Sequence, residues 1–474
     1  MSELASEPVA QQDSVGEPPG RRARSFGAAF LLVAAGVAMS NLDQFIVNVA
    51  LPQIGDRLGH ESLSSVSWVL NAYAVLFGAL LVPAGNLADR FGARGVYLGG
   101  IAGFTVASLA CALAPNVWLL VVFRAVQAVG AAAMVPASLG VLLAATPPEK
   151  RLTAIRGWTA ISGAAAALGP ALGGVLTEAG WRWVFLINVP IGLAVLVAGP
   201  ALLPKAPART GTRLPDLPGA ALVTAAIGLL SLAVVKGSDW GWTSAAVLGS
   251  LAACVVLLAL FVAWCSRAVT PVLPLSLLRI RPFAAASLAN LLFAVPFAAM
   301  LLSSVLWAET VWHWSAMRTG LAVAPGPLMV PLLAAKGGPL VTRFGPARVT
   351  AAGCVVFAAG IGWWIATMRA TADYPAAMLP GMLLTGIGVG LTLPTLIGAA
   401  VTSVPPDRFA TGSAVVSMAR QVGAVLGVAG LVAILARAGD PEHVFRQGWW
   451  LIVATTLVTA VVYLVVARRP AAAG

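Results

Sequence analysis

Two charged side chains stand where charge is expensive. Asp43 lies some two-thirds of the way along the first long apolar run, and Arg124 lies roughly eight residues into the fourth. Ionisable groups at membrane depth are costly, so they face a partner or a cavity. Asp43 and Arg124 lie at similar depth from the same end of their runs, so they can meet. A carboxyl so placed can load and release a proton, and a neighbouring guanidinium would set when it does so. The alternative is an ion pair that only holds helices together. Arg420, in Ala419-Arg-Gln-Val-Gly423, faces the same cost. No acid lies in spans 10 to 13, so its partners are expected among backbone carbonyls, Gln421 or an anionic group of a substrate. Glu309 sits beside Trp307, Trp312 and His313, where it is either a second proton-coupling site or part of a wetted rim. Asn41, Gln44, Asn48 and Gln127 are the polar candidates for a largely apolar substrate cavity, together with Arg420.

The elements that position these groups follow from composition. The 474 residues are 59% hydrophobic and 10% charged, with a mean hydropathy of +0.91. Such a chain cannot clothe an ordinary core in polar surface, which excludes a soluble enzyme with a single anchor. The net charge of +12 comes from Lys and Arg scattered at the ends of apolar runs. That pattern sets topology and does not build a nucleic-acid face. The cysteines Cys111, Cys254, Cys265 and Cys354 have no metal or disulfide spacing, and there is no phosphate-binding loop. Neither a metal nor a cofactor is expected, catalysis of a reaction is not, and energy for any transport has to come from an ion gradient. Protons suit a lone buried carboxylate better than sodium does.

A helix needs roughly 20 apolar residues to cross hydrocarbon. Spans are expected at about 26–50, 66–84, 95–114, 116–144, 153–177, 183–203, 217–235, 243–265, 283–308, 319–341, 347–368, 375–403, 411–436 and 448–467. This predicts an all-α integral membrane protein with fourteen transmembrane helices. Residues 1–25 read as a disordered cytoplasmic tail, 26–203 as a six-helix bundle, 204–282 as a linker with two additional helices, 283–467 as a second six-helix bundle and 468–474 as a tail. Basic residues at both ends, Arg21, Arg22 and Arg24 and then Arg468 and Arg469, place both termini in the cytoplasm. The expected location is the inner (plasma) membrane. Trp68, Trp118, Trp181, Trp183, Trp240, Trp242, Trp312, Trp314, Trp449 and Trp450 are expected as an outer aromatic belt. A repeat supports duplication: Gly85-Asn-Leu-Ala-Asp-Arg-Phe-Gly92 returns 253 residues later as Gly338-Pro-Leu-Val-Thr-Arg-Phe-Gly345, and Gly130 with Pro136 is echoed by Gly388 with Pro394. Parallel repeats are one way secondary transporters are built, with the substrate site between them.

Four stretches carry a family resemblance: Leu42 to Pro52, Gly85 to Arg94, Arg124-Ala-Val-Gln127 with Gly130, and Gly169-Pro-Ala-Leu-Gly-Gly174 leading to Trp181–Pro190. With them the chain resembles the fourteen-helix drug:proton antiporter family of the major facilitator superfamily. The resemblance implies a proton-coupled exporter of lipophilic drugs or antibiotics, working by alternating access as a monomer. Its partners would be a small lipophilic substrate, protons and the bilayer, without nucleic acid. It implies that Arg124 takes part in proton transfer. It also implies a conformational gate made by Gly85, Asp89, Arg90 and Arg94 in the loop and by Gly169, Pro170, Gly173 and Gly174 in span 5, the latter packing against the opposite bundle. A solvated turn and plain close packing are the alternatives for these two motifs. In the second loop copy Thr342 replaces the acid, so a latch would be one-sided. Acids that serve dication exporters in spans 10 and 13 are missing. A lipid or glycolipid translocator of the same fold is the competing function.

Overall fold

Inside hydrocarbon every backbone amide has to be satisfied within its own segment, which leaves a chain of this composition little alternative to helix. The computed structural model describes residues 19–147, 150–204, 215–405, 409–437 and 439–468; the side chains of 19–26, 151–153, 155–156, 159–160, 334–337 and 409–410, and of Asp89, Ser238 and Arg468, lie outside that description. No strand occurs among the described residues.

The first half comprises α1 (Pro19–Arg57), α2 (Trp68–Phe91), α3 (Ala93–Ala112), α4 (Val117–Ala145), α5 (Arg151–Ala179) and α6 (Asn188–Leu202). Two inserted helices follow, α7 (Leu217–Trp240) and α8 (Ala245–Arg267). The second half comprises α9 (Arg281–Leu306), α10 (Pro325–Phe344), α11 (Pro346–Thr367), α12 (Leu379–Thr402), α13 (Phe409–Leu435) and α14 (Pro441–Arg468). Among the described residues, thirteen helices are long and apolar enough to cross a membrane. The fourteenth is α5, a continuous helix whose first turns include undescribed side chains. Two expectations change in detail. Helix α1 starts at Pro19, inside the segment read as a disordered tail, and residues 1–18 and 469–474 lie outside the described residues. Span 10 is broken: a short helix, Ala316–Val323, is followed by α10 with proline at its start.

The repeat has a physical basis. Gly92 and Gly345, the last residues of the two loop copies, both take positive φ, 91° and 79°, at the turns between α2 and α3 and between α10 and α11. Only glycine enters that region without strain. Gly130 of α4 lies against Gly100 and Phe104 of α3, and Gly388 of α12 lies against Gly353 and Phe357 of α11. Small residues thus bring the same helix pair into backbone contact in each half.

The halves meet where α2 packs on α13, where α5 packs on the short helix and α10, and more thinly where α1 meets α9. Helix α7 lies against both α2 and α13. Asp216 fixes the insert: its carboxylate caps α7 at Gly219 N (2.8 Å) and accepts from Trp264 Nε1 of α8 (2.7 Å) and Val272 N (3.0 Å). The far end of α7 is tied to the first half by Lys236 Nζ, which donates to Ser64 Oγ at 3.2 Å.

The aromatic belt is only partly a belt. Trp118, Trp183, Trp240, Trp242 and Trp450 are exposed as expected, but Trp181, Trp312, Trp314 and Trp449 are buried. Trp449 and Trp312 join Trp307, Trp364 and Phe445 in a cluster of edge-to-face and tilted rings inside the second half. Rings that find one another gain more contact than rings left at the headgroups.

Candidate functional site

Asp43 is completely buried, and it is not alone. Arg124 Nη1 of α4 donates to Asp43 Oδ2 at 2.5 Å. The other carboxylate oxygen accepts from Gln127 Nε2 (2.9 Å) and from Asn188 Nδ2 of α6 (3.1 Å). Arg124 Nη1 also donates to Gln127 Oε1 (2.6 Å), and its Nε donates to the Val69 carbonyl of α2 (3.1 Å). Gln127 Nε2 and Asn188 Nδ2 both reach Ser108 Oγ of α3, at 2.8 and 3.3 Å. The guanidinium carbon lies 4.2 Å from the Tyr73 ring centroid and 5.7 Å from that of Phe185. Five helices of the first half therefore join in one buried polar network, two of them bonding the α1 carboxylate directly. A buried ion pair survives only when further hydrogen bonds satisfy both partners, and here they do.

Arg124 also forms part of the wall of a central cavity between the halves. The wall is supplied by α1 (Gln44, Phe45, Asn48), α2 (Leu70, Asn71, Tyr73, Ala74), α4 (Arg124), α9 (Ala294, Phe297, Ala298, Leu301) and α13 (Arg420, Gln421, Ala424, Val425, Val428). Among the described residues, none of α5 or α10 lines it. Across the cavity, Gln44 Nε2 donates to Gln421 Oε1 at 2.9 Å, linking the residue after Asp43 to the residue after Arg420.

The remaining candidates fall in several places. Gln44, Asn48 and Arg420 line the cavity. Gln127 does not: it is fully buried behind Arg124, where it orients the carboxylate. Asn41 is half-buried outside the cavity wall and donates to its own helix at Val37 O. Glu309 lies in a wide turn, Trp307–Val311, at the end of α9, with one carboxylate oxygen buried and without a hydrogen-bond partner. It is remote from Asp43 along its span and is not part of that network.

In the loop motif, Gly85 faces Pro136, Arg90 lies over the Phe91 ring and Arg94 donates to the Pro200 carbonyl of α6, inside its own half. The Asp89 side chain lies outside the described residues. The span 5 glycines divide between two neighbours. Gly169 and Gly173 pack on Phe45, Ile46 and Val49 of α1, in the same half. Only Gly174, with the Pro170 carbonyl, faces the other half, meeting Ala316, Met317 and Gly320 of the short helix. The expected packing of the whole face on the opposite bundle is thus corrected: α1 sits closer, and its bulky residues fill the grooves that Gly169 and Gly173 open. Gly163 has open space beside it.

Sequence reasoning left out Asn188, Ser108, Tyr73 and Asn71. Asn188 and Asn71 carry a signal, a lone amide in an apolar run, that could have been weighed as Asp43 was.

The sequence model of the Major Facilitator Superfamily matches residues 33–336 and 288–474. The chain belongs to this superfamily. Among curated relatives, the tetracenomycin C resistance and export protein of Streptomyces glaucescens is 37% identical over 424 residues, covering 88% of this chain and 77% of that protein. The methylenomycin A resistance protein of Streptomyces coelicolor is 31% identical, covering 90% and 89%. The fold is shared with an auto-inhibited POT family peptide transporter, at 18% identity and a TM-score of 0.68 over 94% of this chain and 98% of that one. A bacterial homologue of the lysosomal transporter Spinster gives 16% identity and a TM-score of 0.66 over 96% and 100%.

Proposed function

We propose that this major facilitator protein exports lipophilic drugs, antibiotics or related metabolites in exchange for protons, with Asp43 as the protonation site. Relatives named for antibiotic resistance and export support the direction and the class of cargo. The observation that carries the coupling is the buried Asp43–Arg124 pair, one residue along α1 from the Gln44–Gln421 bond between the halves. A proton on Asp43 removes the charge that holds Arg124 Nη1 and weakens the tie between α1 and α4. Helix α1 carries Gln44, so a shift there loosens its bond to Gln421 and the closure of the cavity. Loading from outside then favours release of cargo and the return step. A packed interface of this kind has discrete arrangements, which is what alternating access requires.

On this reading the protein works as a monomer in the plasma membrane with both termini in the cytoplasm, as the distribution of Lys and Arg favours. The backbone contact of Gly174 with Ala316 and Met317 then closes the outer side. The Gly85–Arg94 loop is a conformational element at the inner side and does not touch cargo.

The test uses purified protein in liposomes with a trapped pH-sensitive dye, challenged with lipophilic cations, neutral antibiotics and organic anions. Cargo-evoked proton movement in the wild type, abolished in Asp43→Asn, is the expected result. Movement that survives the substitution shifts coupling to Glu309 or elsewhere. No movement with any compound, together with flipping of a labelled lipid, replaces the reading with lipid translocation.

A further inference from the structure

Arg420 is the cationic group in the cavity that the Asp43 network leaves unanswered. It projects from α13 into the cavity wall, yet among the described residues it forms no ion pair and no hydrogen bond. Of the partners that the sequence allows, Gln421 spends its carbonyl oxygen on Gln44, and no backbone carbonyl among the described residues accepts from the guanidinium. The other cation of the wall, Arg124, is already neutralised by Asp43. The cavity therefore carries a net positive charge.

Two neutral donors on the same wall are also unmet. Asn71 of α2 is 1% exposed, and neither its amide nitrogen nor its oxygen has a partner among the described residues. Gln421 Nε2 is likewise buried without one. A guanidinium and two amides held at membrane depth without acceptors are each costly, and the cost is recovered when an acceptor arrives. Much of the remaining wall is apolar and aromatic, with Phe45 and Phe297 edge to face at 6.5 Å.

We infer that the cavity selects a molecule with a carboxylate or phenolate oxygen on an apolar body, the oxygen held by Arg420 with Asn71 as a second donor, and that it rejects lipophilic cations. This rests on the cavity being the cargo site of the export reading. A guanidinium presents two parallel N–H groups to such oxygens, and the bond is charge-assisted. A cation entering the same space meets Arg420 with no carboxylate on the cavity wall to offset it. The apolar body is then taken up by the Phe45 and Phe297 side.

The experiment is equilibrium binding to the full-length protein in lipid nanodiscs with three probes of one shape. These are anthraquinone-2-carboxylate, its methyl ester, and 2-(aminomethyl)anthraquinone. The acid is expected to bind at least about tenfold tighter than the ester, with the amine weakest. Arg420→Gln should bring the three within about twofold of one another, whereas Arg420→Lys should keep the acid ahead of the amine. An amine that binds wild type as well as the acid does, an acid that does not bind, or a preference that survives Arg420→Gln overturns the inference. The wild-type comparison needs no variant, so a poorly folded substitution cannot decide it.

The same probes in dye-loaded liposomes separate this inference from the export reading. An acid that binds selectively but moves no protons leaves the inference standing and removes proton-coupled export. An amine that both binds best and is exchanged for protons does the reverse.

Discussion

The two halves repeat each other's packing and depart from each other in chemistry. The glycine contacts between α3 and α4 recur between α11 and α12, and the positive-φ turn at Gly92 recurs at Gly345. In the first half the charge on α4 is met by an acid, an amide oxygen and a carbonyl, and a second amide and a hydroxyl complete the network. In the second half Arg420 has no such company, and Glu309 Oε1 and Asn290 Oδ1 are also buried without partners. The two halves share the small residues that let helices touch and differ in the polar side chains around their buried charges. A scaffold and its chemistry are separable in this way because packing depends on small residues at fixed spacing, while a polar network depends on several unlike residues arriving together.

The comparison makes opposite predictions for the two arginine sites. The largest effect belongs to the first half. Asp43→Ala leaves Arg124 buried and unpaired and should destabilise the protein by about 3–5 kcal/mol in denaturant unfolding from micelles. Adding Arg124→Leu to it should restore much of that loss. If the double variant is as unstable as the single one, the network is not held by this pair.

Removing the lone cation should act the other way. Arg420→Met fills similar space without the cost of an unmatched charge and should stabilise the unliganded protein by about 1–3 kcal/mol. The same unfolding titration reads it. A loss of stability would mean that Arg420 has a structural partner and that the halves are less different than the geometry indicates.

Asn188→Ala is the finest probe. It removes one donor from Asp43 and one from Ser108, and a loss of about 0.6–2 kcal/mol is expected, with proton-coupled exchange slowed but retained. Complete loss of exchange with stability intact would place Asn188 in the proton path itself.

Much of the architecture was legible because membrane helices announce themselves by length and composition, and because Gly85–Gly92 and Gly338–Gly345 betray the duplication. Depth was legible too: counting along spans 1 and 4 set Asp43 and Arg124 level, and they lie 2.5 Å apart. Azimuth was not. A soluble helix shows its buried face by alternating polar and apolar residues, but a span surrounded by lipid is apolar all round. Nothing in the α4 pattern says that Gln127 turns behind Arg124 instead of into the cavity, or that Gly169 and Gly173 face α1 while Gly174 faces the other half. Those directions are set by neighbours far along the chain, such as Asn188 at 145 residues from Asp43.

Helix α7 spans the seam between α2 and α13, and its described side-chain bonds at the far end go to Ser64 of the first half. Any turn of one half against the other would carry α7 with the half it is fastened to and drag it across α13, so the insert would act as a bearing surface. The seam between α2 and α13 is thus covered from outside by a helix of the insert, whereas the seam where α5 meets the short helix and α10 has no such cover among the described residues.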